Sequence, residues 1–192
     1  MGSFNFVTLQ KREVLDIVET EGVYYADFSK SAYLKQIPRL KVLYEYFLES
    51  FNDINDMYLN GLVFAFLHRD DDGKIRDFPD IETFLETISE NRNCILSLWK
   101  NFYEHGYIMM ALKKELNFNP LLIDINDFQF LMPPCITVPP YNEYSYDTIM
   151  TNISEGKYET SPFPTGLIQA HLTCIKNEEL LGAWEMLPIE SL

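Results

Sequence analysis

The chain has 192 residues, with 29 Asp and Glu against 15 Lys and Arg for a formal net charge of −14, and it is 47% hydrophobic and 15% aromatic. Disordered acidic chains are poor in aromatics, so 14 Phe, 12 Tyr and 2 Trp put the acid on the outside of a packed core. Such a surface repels phosphate backbones, whose affinity rests on basic groups, which excludes direct nucleic-acid binding and leaves basic protein surfaces, metal ions or small ligands as partners.

In chain order, residues 4–9 read as a short strand, and Val14, Leu15 and Val18 recur at helical spacing before Gly22, which stops the helix. Residues 23–28 (VYYADF) predict a second strand. Pro38 suits a first helical position, and Leu40, Leu43, Phe47 and Phe51 behind it give one face of a helix to a core. Residues 61–68 (GLVFAFLH) form a nearly continuous apolar strand that turns at Asp70-Asp71-Asp72-Gly73 and returns over 74–78 as a hairpin. Pro79 opens a helix through Ile88, and a second apolar stripe of Ile95, Leu98, Trp99 and Phe102 ends at Gly106.

Strands are expected at 107–112, 121–125, 167–174 and 181–186. Between the second and third of these lies a long Pro- and Tyr-rich loop at 133–165, with the doublets Pro133-Pro134 and Pro139-Pro140 beside Tyr141, Tyr144 and Tyr146. A loop of that length is functional or disordered. No regular βαβ beat runs through the chain, so the expected fold is α+β, a single globular domain over 1–192 with a largely antiparallel sheet and three to four helices. No apolar run approaches the roughly 20 residues that span a bilayer, and the opening residues carry neither a basic n-region nor a myristoylation Ser or Thr at position 6, so a cytoplasmic location without membrane association is expected.

Catalytic signatures are weak. His68-Arg69-Asp70 opens like a kinase catalytic loop, but Asp71-Asp72-Gly73 follows it and no glycine-rich loop precedes it. As a calcium loop the same stretch lacks an acidic first ligand and has Pro79 where a bidentate Glu belongs, so it reads as a solvated turn. His68, His105 and His171 have no partner at metal-ligand spacing, and Cys94, Cys135 and Cys174 are an odd number far apart, so no metal site or disulfide framework is expected and the thiols read as buried and free. Asp124, Asn126 and Asp127 cluster, yet a nuclease-type metal site needs a basic approach for phosphate. Tyr141, Tyr144 and Tyr146 either pack as a rigid cover on their own domain or form an exposed loop of partner-binding anchors, since Tyr is favoured at interfaces.

The order of Val7-Thr8-Leu9-Gln10, Gly22-Val23-Tyr24, Leu121-Leu122-Ile123-Asp124 with Phe128, and Leu167-Ile168-Gln169-Ala170 resembles an uncharacterised bacterial domain family of about this length. The opening strand, helix and Gly-Val-Tyr also resemble the entry to the ADP-ribosyltransferase fold. That resemblance implies a cleft for nicotinamide dinucleotide, NAD, lined by Thr8, Gln10, Tyr24 and Gln169. Such transferases carry His or Arg on the first strand and a late-strand Glu, and here Gln169 can hydrogen-bond but cannot stabilise a developing cation. Two functions are therefore expected. The first is an acidic interaction protein without cofactor, of the inhibitor or immunity type and bacterial or phage in origin, that binds a basic protein surface. The alternative is an ADP-ribosyltransferase-like domain, catalytically degenerate, that binds NAD.

Overall fold

The computed structural model describes residues 2–31, 34–35 and 37–192. A sheet of antiparallel strands runs in the order β6-β7-β3-β1-β5-β9, with β4 paired to β3 as a hairpin, and β2 and β8 form a separate two-stranded pair. The strands are β1 (Ser3–Lys11), β2 (Val23–Tyr24), β3 (Val63–Arg69), β4 (Ile75–Arg76), β5 (Tyr107–Glu115), β6 (Leu122–Asp124), β7 (Leu167–Leu172), β8 (Ile175–Lys176) and β9 (Leu180–Glu185). Among the described residues the helices of a full turn or more with α geometry are α1 (Arg12–Glu21), α2 (Pro38–Asn55), α3 (Ile81–Glu90), α4 (Arg92–Glu104), α5 (Ile125–Leu131) and α6 (Ser145–Ser154).

Both faces of the sheet are covered, and this explains the continuous apolar runs of its central strands. Successive side chains of a strand point to opposite faces. In β1, Phe6 and Thr8 face one side and Val7 and Leu9 the other, and all four are buried. Helices α2 to α6 bury Leu40, Phe47, Phe51, Phe84, Trp99, Phe128 and Ile149 in one cluster with Val7, Leu9 and Phe66. On the other face α1 lays Val14, Leu15 and Val18 on Phe6, Ala65, Met110 and Ala170, with the β2–β8 pair beside it.

The ends of the elements follow from their residues. Gly22 takes φ 83° and donates its N–H to the Val18 carbonyl at 3.0 Å, a left-handed cap open to glycine without strain. Asp80 caps α3 by accepting the Thr83 N–H at 2.8 Å. Trp99, fully buried on α4, donates its indole N–H to the Leu187 carbonyl at 2.9 Å and so ties the chain's end to the core. In the 70–73 turn, Asp70 accepts from the Lys74 N–H at 2.7 Å and from Arg76 Nε at 2.9 Å, so its carboxylate is committed to the hairpin.

Several expectations are corrected. The stretch 133–165 is not one long loop, because α6 occupies its middle: Ile149 and Ile153 bury one face of a helix there. The helices outnumber the three to four expected, since α5 is a seven-residue helix hidden inside an apolar run and α6 lies among prolines and tyrosines. The second strand is two residues long rather than six. Of the thiols, Cys174 is buried, Cys94 half-buried and Cys135 exposed. Among the described residues no helix is long and apolar enough to cross a membrane.

Candidate functional site

Strand register separates the residues expected to line a dinucleotide cleft. Thr8 lies opposite Ala65, and Ala65 opposite Ala170, so Thr8 shares a face with Ala170 and not with its neighbour Gln169. Thr8 and Gln10 sit under α1: Thr8 is fully buried, donates its hydroxyl to the Phe64 carbonyl at 2.6 Å and accepts from Gln10 Nε2 at 2.8 Å. Tyr24 packs against the same cluster, and burial, then the Asp27 charge, raises its pKa. Gln169 points into the helical layer on the far side of the sheet, so these four residues share no cleft.

Gln169 instead serves a buried histidine. His171 is fully buried, with its ring 4.7 Å from that of Phe47 and 4.9 Å from that of Phe64. Its Nδ1 lies 2.8 Å from the Leu121 carbonyl, which only accepts, so Nδ1 carries the proton and Nε2 accepts from Gln169 Nε2 at 3.2 Å. Loss of solvation pushes this imidazole down to about 4, against a weaker opposing effect of the Leu121 bond.

The polar centre of the molecule lies at the β6 end of the sheet. Asp124 caps α5, accepting the Asn126 N–H at 2.9 Å, and its other oxygen accepts the Thr165 N–H at 2.8 Å. One turn on, Asp127 Oδ1 accepts from the Tyr141 hydroxyl at 2.8 Å and from the Ser161 hydroxyl. Burial raises the pKa of both carboxyls, and the hydrogen bonds each accepts oppose that rise. Arg69 stands nearby, with its Nε donating to the Thr165 carbonyl at 3.1 Å. The Tyr158 hydroxyl is sealed from solvent with no partner among the described residues, and desolvation followed by the charge of Asp124 pushes it up to about 12.

The three candidate tyrosines part company here. Tyr141 is core: it is 8% exposed, stacks on Phe130 with centroids 4.2 Å apart and planes 3° apart, and holds Asp127. Tyr144 and Tyr146, 69% and 38% exposed, remain available at the surface with Ile136, Val138 and Phe163. Tyr141 is therefore no exposed anchor, and the expectation of three surface tyrosines is corrected to Tyr144 and Tyr146. In the sequence the Asp124–Asp127 pair stands without the basic approach that a phosphate-handling metal site needs, and nothing beside it marks it as a polar centre. Its hydroxyl partners lie 14 to 41 positions further on, and no local spacing signals them.

Beside this centre lies a cavity of about 240 Å³ between β6, α6 and the chain after it. Leu122, Ile123, Ile149 and Ile153 give it apolar walls, and Asp127, Asn142, Tyr144, Thr148 and Asn152 bring polar groups, with the exposed Lys157 and Glu159 also lining it. Lys157 is engaged by Glu155 at 2.6 Å. From Leu116 to Ile175 the chain carries six carboxylates, and Lys157 is its only Lys or Arg. Among the described residues no group of three or more His, Cys, Asp or Glu is placed to hold a metal ion. Comparison with family models, with curated proteins and with solved structures finds no match to this chain.

Proposed function

We propose that the protein is an acidic binding module, of the inhibitor or immunity type, that docks on the basic surface of another protein through the β6 end of its sheet. The observation that carries this reading is the meeting, in one cation-poor stretch, of exposed aromatic side chains with exposed carboxylates. Tyr144, Tyr146 and Phe163 stand out of the surface, and Glu143, Asp147, Glu155 and Glu159 stand exposed among them. Aromatic anchors rimmed by charge of one sign suit a partner of the opposite sign, with the charge guiding encounter and the rings supplying the desolvated contact. The buried polar groups leave the surface as the place for binding in another way, because Asp124, Thr8, Gln169 and His171 each make hydrogen bonds inside the fold. A dinucleotide cleft of Thr8, Gln10, Tyr24 and Gln169 gains no support from a register that sends Gln169 to the other face.

The test reverses charge at one place and spares it at another. A partner captured from the source cells is titrated against Glu143→Lys/Asp147→Lys and against Glu82→Lys/Glu86→Lys, which changes the net charge equally on α3. All four side chains are exposed, so neither variant should lose stability beyond about 0.5 kcal/mol. The first pair is expected to slow association about tenfold and the second by far less. Equal effects would mean that this end of the molecule is not the docking face.

A further inference from the structure

Asp127 is 5% exposed, yet among the described residues only one of its oxygens accepts hydrogen bonds. Oδ1 holds Tyr141 and Ser161, and no donor among the described residues reaches Oδ2. The only side-chain oxygen or nitrogen among the described residues that is both sealed and unpartnered is the Tyr158 hydroxyl, so Oδ2 is open, and the space it opens to is the cavity that Asp127 lines. A carboxylate oxygen so placed has lost most of its water and gained only half of its hydrogen bonds, a state that a donor from outside relieves.

We infer that this cavity accepts the cationic side chain of a Lys or Arg from the partner protein, with Asp127 Oδ2 as the counter-ion. The inference rests on the reading of the protein as a binding module and names the group its site takes. The cavity is smaller than the roughly 300–1,000 Å³ of sites that enclose drug-sized ligands, which suits one side chain and not a dinucleotide. Its apolar walls, Leu122, Ile123, Ile149 and Ile153, match the methylene stem that Lys and Arg bury behind a charged head. Tyr144 adds an exposed ring that can lie along the stem or face the charge. The local field has the required sign: the charge of Asp124 acts on Asp127, Glu159 lines the cavity, and Lys157, which also lines it, is held by Glu155. Arg69 makes no ion pair with Asp127 and donates to the Thr165 carbonyl instead.

The test uses the full ¹⁵N-labelled chain and four probes: capped Gly-Lys-Gly, capped Gly-Arg-Gly, the neutral isostere capped Gly-norleucine-Gly, and butylamine. Saturable amide shifts at Asp127, Asn142, Thr148 and Asn152 are expected with the Lys and Arg peptides and not with norleucine, and D127N should weaken them about tenfold or more. If D127N loosens the fold through Tyr141 and Ser161, Asn152→Phe, which fills the cavity from α6, must abolish the same shifts. Equal binding of the norleucine peptide, shifts that survive both variants, or no shifts at all would overturn the assignment. Butylamine binding as tightly as the Lys peptide would give the cavity to a free amine and also overturn it. Loss of peptide binding alongside an intact charge-reversal effect at Glu143 and Asp147 removes the pocket and leaves the docking face standing. Peptide binding without that effect supports the pocket and removes the docking face.

Discussion

His171 and Lys114 show how single buried groups set the chain's response to pH and substitution. His171 in the unfolded chain takes a proton below its ordinary value of 6.5, whereas the folded imidazole stays neutral until about 4. Between those values the unfolded state binds more protons, so this group's contribution is present above pH 6.5 and is lost as pH falls toward 4, on the order of 3 kcal/mol in all. Denaturant titrations should give a slope of stability against pH in this window that is about one proton steeper in the native chain than in His171→Gln. Identical slopes would mean that His171 is protonated in the fold. Lys114, 3% exposed, has both oxygens of Glu179 at 2.8 Å and the Cys174 carbonyl at 3.2 Å. Glu179→Gln removes the only carboxylate within ion-pair reach among the described residues, and an uncompensated buried ammonium should lower stability by about 3 kcal/mol. A loss below about 1 kcal/mol, measured by urea unfolding, would show that water reaches Lys114.

At the scale of elements, the 133–165 stretch divides into a buried anchor and an exposed face, and substitution should separate the two. Tyr141→Phe deletes the hydroxyl that holds Asp127 and should cost about 2 kcal/mol, the worth of a hydrogen bond to a charged group. Tyr144→Ala and Tyr146→Ala touch side chains at the surface and should change the melting temperature little while weakening partner binding. If Tyr144→Ala lowers stability as much as Tyr141→Phe does, that ring packs on its own chain. The longest helix, α2, was legible because Pro38 and the Leu40, Leu43, Phe47, Phe51 stripe agree on one start and one face. The strand at 61–68 and its hairpin were legible for the same reason, since a run of apolar residues ends in Asp and Gly residues that can only turn. Helix α6 was not, because Tyr144, Tyr146 and the proline doublets dominate the composition of its stretch while only Ile149 and Ile153 mark a buried face.

For the whole molecule, the α+β class and the antiparallel sheet were readable because strands and helices alternate without crossover spacing. Which residues share a site was not. Reading Thr8 and Gln169 as one cleft required the face on which each strand presents its even positions, and that is fixed by pairing across β1, β3 and β7 rather than by any one strand's sequence. Likewise Asp127 meets Tyr141, 14 positions on, and Ser161, 34 positions on and beyond α6, through contacts that no local spacing marks. The net charge of −14, by contrast, is a property of the sequence alone, and the proposed docking on a basic partner rests on it. The most direct measurement is the association rate of the captured partner with the native chain between about 0.1 M and about 1 M salt, over which the Debye length shrinks from about 10 Å to about 3 Å. Steering by the acidic surface requires the rate to fall at least about tenfold across that range while dissociation changes little. An association rate indifferent to salt would mean that the charge plays no part in finding the partner.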